Sequence, residues 1–166
     1  DVDEVQINDK GHIVWAGMPT ENTRNIYFYN GETITKISSD LYYPELGFVG
    51  LPKINNNDYI VWRYYTGLDG GYKLKFFNGS SIVSISSDYI DDYNTFHINN
   101  QNQIVWSSLD SKDILLYTAG TIQTLTTDHS PSSAENPQIN DAGQVVWNSS
   151  SFATSSGIFF YNGSIV

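Results

Sequence analysis

Cysteine is absent from the 166 residues, which excludes a disulfide framework, thiol catalysis and a Cys-type zinc site. Positive charge is scarce. Eight Lys and Arg stand against eighteen Asp and Glu, giving a formal net charge of −10 and a pI near 4.4. So few cations argue against nucleic acid as a partner and equally against an anionic membrane surface. No apolar run approaches the ~20 residues of a membrane span, so no membrane insertion is expected. Methionine occurs once, at Met18, and Ala and Leu are sparse, which disfavours a mainly helical chain. The chain opens at Asp1, as expected of a mature form, a proteolytic fragment or an excised part of something longer.

Aromatic residues are what the chain has in abundance. Twelve Tyr, eight Phe and four Trp sit among many Ile, Val, Thr and Ser. Those side chains suit a pleated, half-buried surface, so β-structure is expected. With 40% hydrophobic residues the chain can bury a core, and it is too apolar and too weakly charged for disorder.

One decapeptide occurs four times. It reads Gln6-Ile-Asn-Asp-Lys-Gly-His-Ile-Val-Trp15, then Lys53 to Trp62, His97 to Trp106 and Gln138 to Trp147. Ile, Asn, Val and Trp hold the same places in every copy, and the tryptophans lie 47, 44 and 41 residues apart. A period in the forties is that of a four-stranded propeller blade. Each copy is followed by an aromatic run, as in Ile26-Tyr-Phe-Tyr-Asn-Gly31, and then by an alternating one, as in Thr33-Ile-Thr-Lys-Ile37. The reading is a short first strand ending in Ile-Asn, a polar turn, and an Ile-Val-Trp second strand. A third, aromatic strand, an Asn-Gly hairpin and an exposed fourth strand complete the unit. The hairpin is expected to be a type I′ turn, which needs positive φ at both central residues. Near-continuous apolar second and third strands are expected to be buried on both faces.

The fold class predicted is therefore all-β: a β-propeller of four tandem four-stranded blades, either a four-bladed ring or part of a larger propeller. The chain is read as one domain, with blades at about 1–40, 41–88, 89–128 and 129–166. The Ile-Asn-x-x-Gly-x-Ile-Val motif with its aromatic strand and Asn-Gly resembles bacterial extracellular HAF-type repeats and, more broadly, TolB-like propeller blades. That resemblance spans four units and implies the fold and a secreted or cell-surface location. The chain departs from it by carrying Trp15, Trp62, Trp106 and Trp147 where HAF-type repeats commonly have Gly. It also has Asp58 and Asn102 where the turn Gly is expected.

The four tryptophans are read as repeat core, since each ends an apolar strand at one fixed place; sugar stacking is the alternative. His12, His97 and His129 occupy different places in the repeat, and no pair has metal-ligand spacing. The loops that follow the fourth strands open Ser38-Ser39-Asp40, Ser86-Ser87-Asp88 and Thr126-Thr127-Asp128. Each Asp suits an Asx cap of its own turn. The same loops continue with Tyr42, Tyr43 and Glu45 in one copy, and with Tyr89, Asp91, Asp92 and Tyr93 in the next. In a propeller these loops and those between second and third strands share one face, the usual place for function. The candidate ligand-binding set is therefore Tyr42, Tyr43, Asp88, Tyr89, Asp91, Asp92 and Tyr93. Tyr beside carboxylate suits saccharide hydroxyls or cationic protein segments, and clustered carboxylates suit Ca2+. No EF-hand or RTX pattern is present, and no cofactor is otherwise expected.

No nucleophile elbow or phosphate loop occurs, and adjacent Asp91 and Asp92 do not suit opposed carboxylate roles. The functional expectation is a non-enzymatic binding or scaffold propeller with a protein or glycan partner. The alternatives are a carbohydrate-active propeller enzyme of glycosidase or lyase type, and a building block that assembles with further blades or copies.

Overall fold

A computed structural model describes residues 2–20, 23–38, 49–67, 71–86, 88–90, 96–126, 133–150 and 157–163. All regular structure among them is strand. Blade 1 is β1 (Val2–Ile7), β2 (Ile13–Thr20), β3 (Thr23–Tyr29) and β4 (Ile34–Lys36). Blade 2 is β5 (Gly50–Ile54), β6 (Ile60–Tyr65), β7 (Tyr72–Phe77) and β8 (Ile82–Ser84). Blade 3 is β9 (Phe96–Ile98), β10 (Ile104–Ser107), β11 (Ile114–Thr118) and β12 (Thr121–Thr124). Blade 4 shows β13 (Ser133–Ile139), β14 (Val145–Ser150) and β15 (Gly157–Tyr161). Its expected fourth strand, at Ser164–Val166, lies outside the described residues. Each sheet is an antiparallel meander in chain order, as the repeat predicts. The chain divides into two compact units, Asp1–Ser87 and Asp88–Val166, each carrying two blades.

Within each unit the first strand of the second blade lies against the sheet before it. In the first unit Val14, Ala16 and Ile26 of blade 1 meet Ile60 and Trp62 of blade 2. In the second unit Val105, Ile114 and Leu116 of blade 3 meet Val145, Trp147 and Tyr161 of blade 4. Side chains alternate along a strand, so Val and Trp of one Ile-Val-Trp strand face opposite ways. Within each unit the Val face of the first blade turns to the second blade, and the Trp face of the second turns to the first. Trp62 and Trp106 are fully buried, Trp147 is 8% exposed, and Trp15 is only partly buried, stacked on Tyr27 at 5.6 Å. The fourth strands β4, β8 and β12 are exposed throughout, short as outer edges should be.

The repeated Asn is the joint between blades. Asn8 Oδ1 accepts from the backbone N–H groups of Lys10 (3.1 Å) and His12 (3.0 Å), closing its own turn. Its Nδ2 donates to the Asn55 carbonyl of the next blade at 3.0 Å. Asn99 repeats both: it accepts from Gln101 and Gln103 (3.1 and 2.9 Å) and donates to the Asn140 carbonyl (2.9 Å). The following residues add a second rung. Asp9 N–H donates to Asn56 Oδ1 (2.9 Å), and Asn100 N–H donates to Asp141 Oδ1 (2.9 Å). Donation from both the backbone and the side chain of Asn100 holds the Asp141 carboxyl below its ordinary range. Asp58 and Asn102 take the turn's positive φ, 64° and 63°, as Gly11 and Gly143 do at 77° and 75°. Asp and Asn tolerate that region because their short side chains bond locally.

The Asn-Gly hairpins differ from expectation. In Asn30-Gly31-Glu32-Thr33 the central pair is Gly31-Glu32, and only Gly31 has positive φ (94°). Asn30 stands before the centre, its Oδ1 accepting from Glu32 (3.0 Å) and Thr33 (2.8 Å) N–H groups. Glycine first with positive φ there alone is the type II′ pattern. The type I′ form occurs in blade 3 instead, where Ala119 (φ 50°) and Gly120 (φ 91°) join paired Thr118 and Thr121.

Two outcomes follow. Trp106→Ala is expected to cost about 3–5 kcal/mol in chemical denaturation, and Trp15→Ala less than half of that, because only Trp106 leaves a closed cavity. The second concerns Asp58, which receives Nζ of Lys10 at 2.9 Å, Nδ1 of His12 at 2.8 Å and Nδ2 of Asn8 at 2.8 Å. Partial burial raises its pKa, but these hydrogen bonds and the charge of His12 outweigh that and bring it below the ordinary aspartate value of 3.8. A depressed folded pKa gives stability that is present above 3.8 and lost as pH falls through the folded value. Asp58→Asn keeps the positive φ and is expected to lower the melting temperature at pH 7. The gap should close in acid, as thermal melts across pH 2–7 will show.

Candidate functional site

Antiparallel order puts the loops leaving β2 and β6, and the segments following β4 and β8, at the end of each blade opposite the Asn turns. Of the candidate residues, Tyr42, Tyr43, Asp91, Asp92 and Tyr93 lie outside the described residues, as do Asp40, Glu45 and Asp128. Asp88 and Tyr89 are placed, both partly buried. Asp88 Oδ2 accepts from Ser108 Oγ at 3.4 Å. Tyr89 donates its backbone N–H to Asp110 Oδ2 (3.1 Å), and its carbonyl accepts from Leu109 N–H (2.7 Å). Ile90, 1% exposed, bridges to Ser108. The segment 88–90 is thus pinned along the end of β10 by backbone bonds, with the apolar Ile90 as its anchor.

The first Ser of the repeated Ser-Ser-Asp is a packing residue. Ser38 Oγ accepts from Ile26 N–H at 2.9 Å, and Ser86 Oγ from Leu74 N–H at 2.8 Å, both Ser side chains buried. These hydroxyls satisfy a third-strand N–H where the short fourth strand has ended. The equivalent Thr126 donates its hydroxyl to Asp113.

The first unit's loop end also holds residues that the sequence reading passed over. The chain has two arginines, Arg24 and Arg63, and both are buried, at 4% and 9% exposure. Arg24 Nη2 pairs with Glu4 Oε2 at 3.1 Å, and the same oxygen accepts from Leu51 N–H at 2.6 Å. Glu4 reaches there from a bulge in β1, where it has φ 55°. Leu51 sits in the equivalent bulge of β5 at φ 51°. Bulges re-aim side chains near strand ends. Gly50 lacks the Cβ that would collide with the Glu4 carboxylate. Burial pushes the Lys53 ammonium pKa down, opposed by the pull of Glu4.

Two other cations of blade 2, Arg63 and Lys75, lie over tyrosine rings. The Arg63 guanidinium lies over the Tyr72 ring at 4.4 Å, and Tyr72 meets Tyr65 edge-on at 5.4 Å. Lys75 Nζ lies over the Tyr64 ring at 4.4 Å. Cation–π contact fixes the rings in place, while Tyr64, Tyr65 and Tyr72 each stay partly exposed. Across the loop, Thr66 donates its N–H and hydroxyl to the Gly71 carbonyl, each at 3.0 Å. The arrangement offers ordered phenol rings and a buried positive charge. Among the described residues no group of three or more His, Asp or Glu could hold a metal ion. No helix there is long and apolar enough to cross a membrane.

No family model matches the sequence, and no curated protein matches it. Solved structures do. TolB from Acinetobacter baumannii superimposes with a TM-score of 0.62 at 13% identity, over 98% of this chain and 41% of that one. The β-propeller domain of the Trilobed protease from Pyrococcus furiosus, with an open velcro topology, gives 0.65 at 10% identity over 96% and 52%. Streptogramin B lyase gives 0.54 at 10% identity over 95% and 54%. The chain spans about half or less of these proteins' lengths. Identities this low bear on fold alone, and the fold is that of β-propeller blades.

Proposed function

We propose that the chain is a non-enzymatic binding propeller, built of HAF-type repeats and exported to the outside of a bacterial cell, that recognises a protein or a glycan at its loop-bearing end. The observation that carries this reading is the row Arg63, Tyr72, Tyr65 at the end of blade 2, in which a buried guanidinium orders two partly exposed phenol rings. Rigid amphipathic rings give large contact area at small entropic cost, which is what recognition surfaces select. The sequence adds Tyr42 and Tyr43 in the segment before β5, and Asp88, Tyr89, Asp91, Asp92 and Tyr93 in the segment after β8, as further candidates. A net charge of −10 favours a partner with cationic or neutral polar groups.

The test is retention of the protein on a glycan array and on an array of cationic peptides. Tyr65→Ala, and separately Tyr43→Ala with Tyr93→Ala, are expected to lower retention at least ten-fold with the melting temperature nearly unchanged. Tyr29→Ala, at the Asn-turn end where Tyr29 bonds the Gly31 carbonyl, is expected to bind as wild type. Equal loss in Tyr29→Ala, or retention unchanged in the loop variants, would refute the loop end as the binding face.

A further inference from the structure

The two units repeat one another position for position, so a place that is filled in one and open in the other is informative. In the first unit the Asp58 carboxylate of blade 2 takes Lys10 Nζ (2.9 Å), His12 Nδ1 (2.8 Å) and Asn8 Nδ2 (2.8 Å) from blade 1. The repeat puts Gly143, Gln101, Gln103 and Asn99 at the same positions of the second unit. Gly143 sends no side chain across, and a cavity of about 510 Å3 opens between blades 3 and 4 at the Asn-turn end. Leu116 stands on its wall where blade 1 has the larger Phe28, which leaves more room still.

The polar groups on the walls are of one chemical kind. Gln101, Gln103 and Gln123 bring carboxamides, which both donate and accept, and Asp141 adds a carboxylate. Among the described residues no cation lines the cavity. Gln103 is fixed through both ends of its amide, with Oε1 accepting from Asn99 Nδ2 (2.8 Å) and Nε2 donating to Thr118 Oγ1 (3.3 Å). Tyr161 pairs with Val145 as Phe77 pairs with Ile60, so it adds a hydroxyl where blade 2 has none. It is 8% exposed, its ring belongs to the core between blades 3 and 4, and its hydroxyl makes no hydrogen bond to a described residue. A hydroxyl taken out of bulk water without a partner is costly, and the cavity is where its partner can stand.

We propose that this cavity binds a neutral polyhydroxylated molecule of monosaccharide size. The volume lies within the ~300–1,000 Å3 of small-molecule sites. Sugar hydroxyls donate and accept, as the carboxamides and the Tyr161 hydroxyl do, and the Asp141 carboxylate accepts from them. Leu116 and the Tyr161 ring supply apolar contact for C–H groups. Asp141, with no cation beside it on the wall, disfavours an anion. The site lies at the end of the blades opposite the loops, so it stands apart from the loop-end reading.

Saturation-transfer-difference NMR of the whole chain with glucose, galactose, mannose and N-acetylglucosamine, each at millimolar concentration, tests it. At least one of the four is expected to bind. Gly143→Asn puts a side chain back into the cavity at a turn position where Asn102 already holds φ 63°, and is expected to weaken binding at least ten-fold. Tyr161→Phe gives blade 4 the residue of blade 2 and removes only the hydroxyl. It is expected to weaken binding about five-fold, with a circular dichroism melt close to that of wild type. No binding of any of the four sugars would overturn the inference. So would binding that survives either substitution undiminished, as a sugar held at the loop end would.

Discussion

One side chain in each unit, Asn8 in the first and Asn99 in the second, holds its two blades together. The buried Asn must satisfy two backbone N–H groups of its own turn and one carbonyl of the next, and only a carboxamide supplies both acceptor and donors at that length. Asp would lose the donor and Gln would overreach. The turn therefore cannot open without releasing the neighbouring blade, and local turn geometry is coupled to blade stacking. Apolar burial between sheets supplies most of the stabilisation, but it is non-directional. The Asn joint fixes where along the strands one sheet meets the next.

This division of labour explains why the repeat tolerates so much change elsewhere. The turn residue with positive φ is Gly, Asp or Asn. In the first unit Asp58 uses its carboxylate to gather Asn8, Lys10 and His12. In the second unit its equivalent is Gly143, beside Gln103, and a cavity of about 510 Å3 opens there, lined by Gln123, Asp141 and Tyr161 among others. Hairpins vary in the same way, as type II′ after β3 and type I′ after β11. Neither change disturbs the three bonds that Asn8 and Asn99 share, so both are permitted.

Much of this was legible in the sequence. Four copies of Ile-Asn followed by Ile-Val-Trp announced strand, turn and strand, and the period announced the blade. The role of the Asn was only half legible. Its turn could be read from local spacing, but its bond to the next blade joins residues 41 or 47 positions apart. The Glu4–Arg24 pair was hidden for the same reason, and because a bulge breaks the alternation that would have placed Glu4 on a known face. The signal that could have found it was the rarity of arginine: two residues, each beside the end of an apolar strand. Ser38 and Ser86 looked like loop residues because hydroxyls are common in loops, whereas their work is to complete the third strand. The difference between Trp15 and the other tryptophans had no local signal at all.

Asn99 and Asn140 provide the most direct measurement of the central claim. Both accept from two N–H groups of their own turns, and both donate to a Gln of the same turn. Asn99 alone of the two is buried and bonded to the next blade within its unit. Equilibrium denaturation of Asn99→Ala and Asn140→Ala isolates that difference. The account predicts that Asn99→Ala costs about 2–4 kcal/mol and Asn140→Ala less than half as much. Equal losses, within about 0.5 kcal/mol, would show that the bond between blades contributes nothing beyond the turn and would contradict the account.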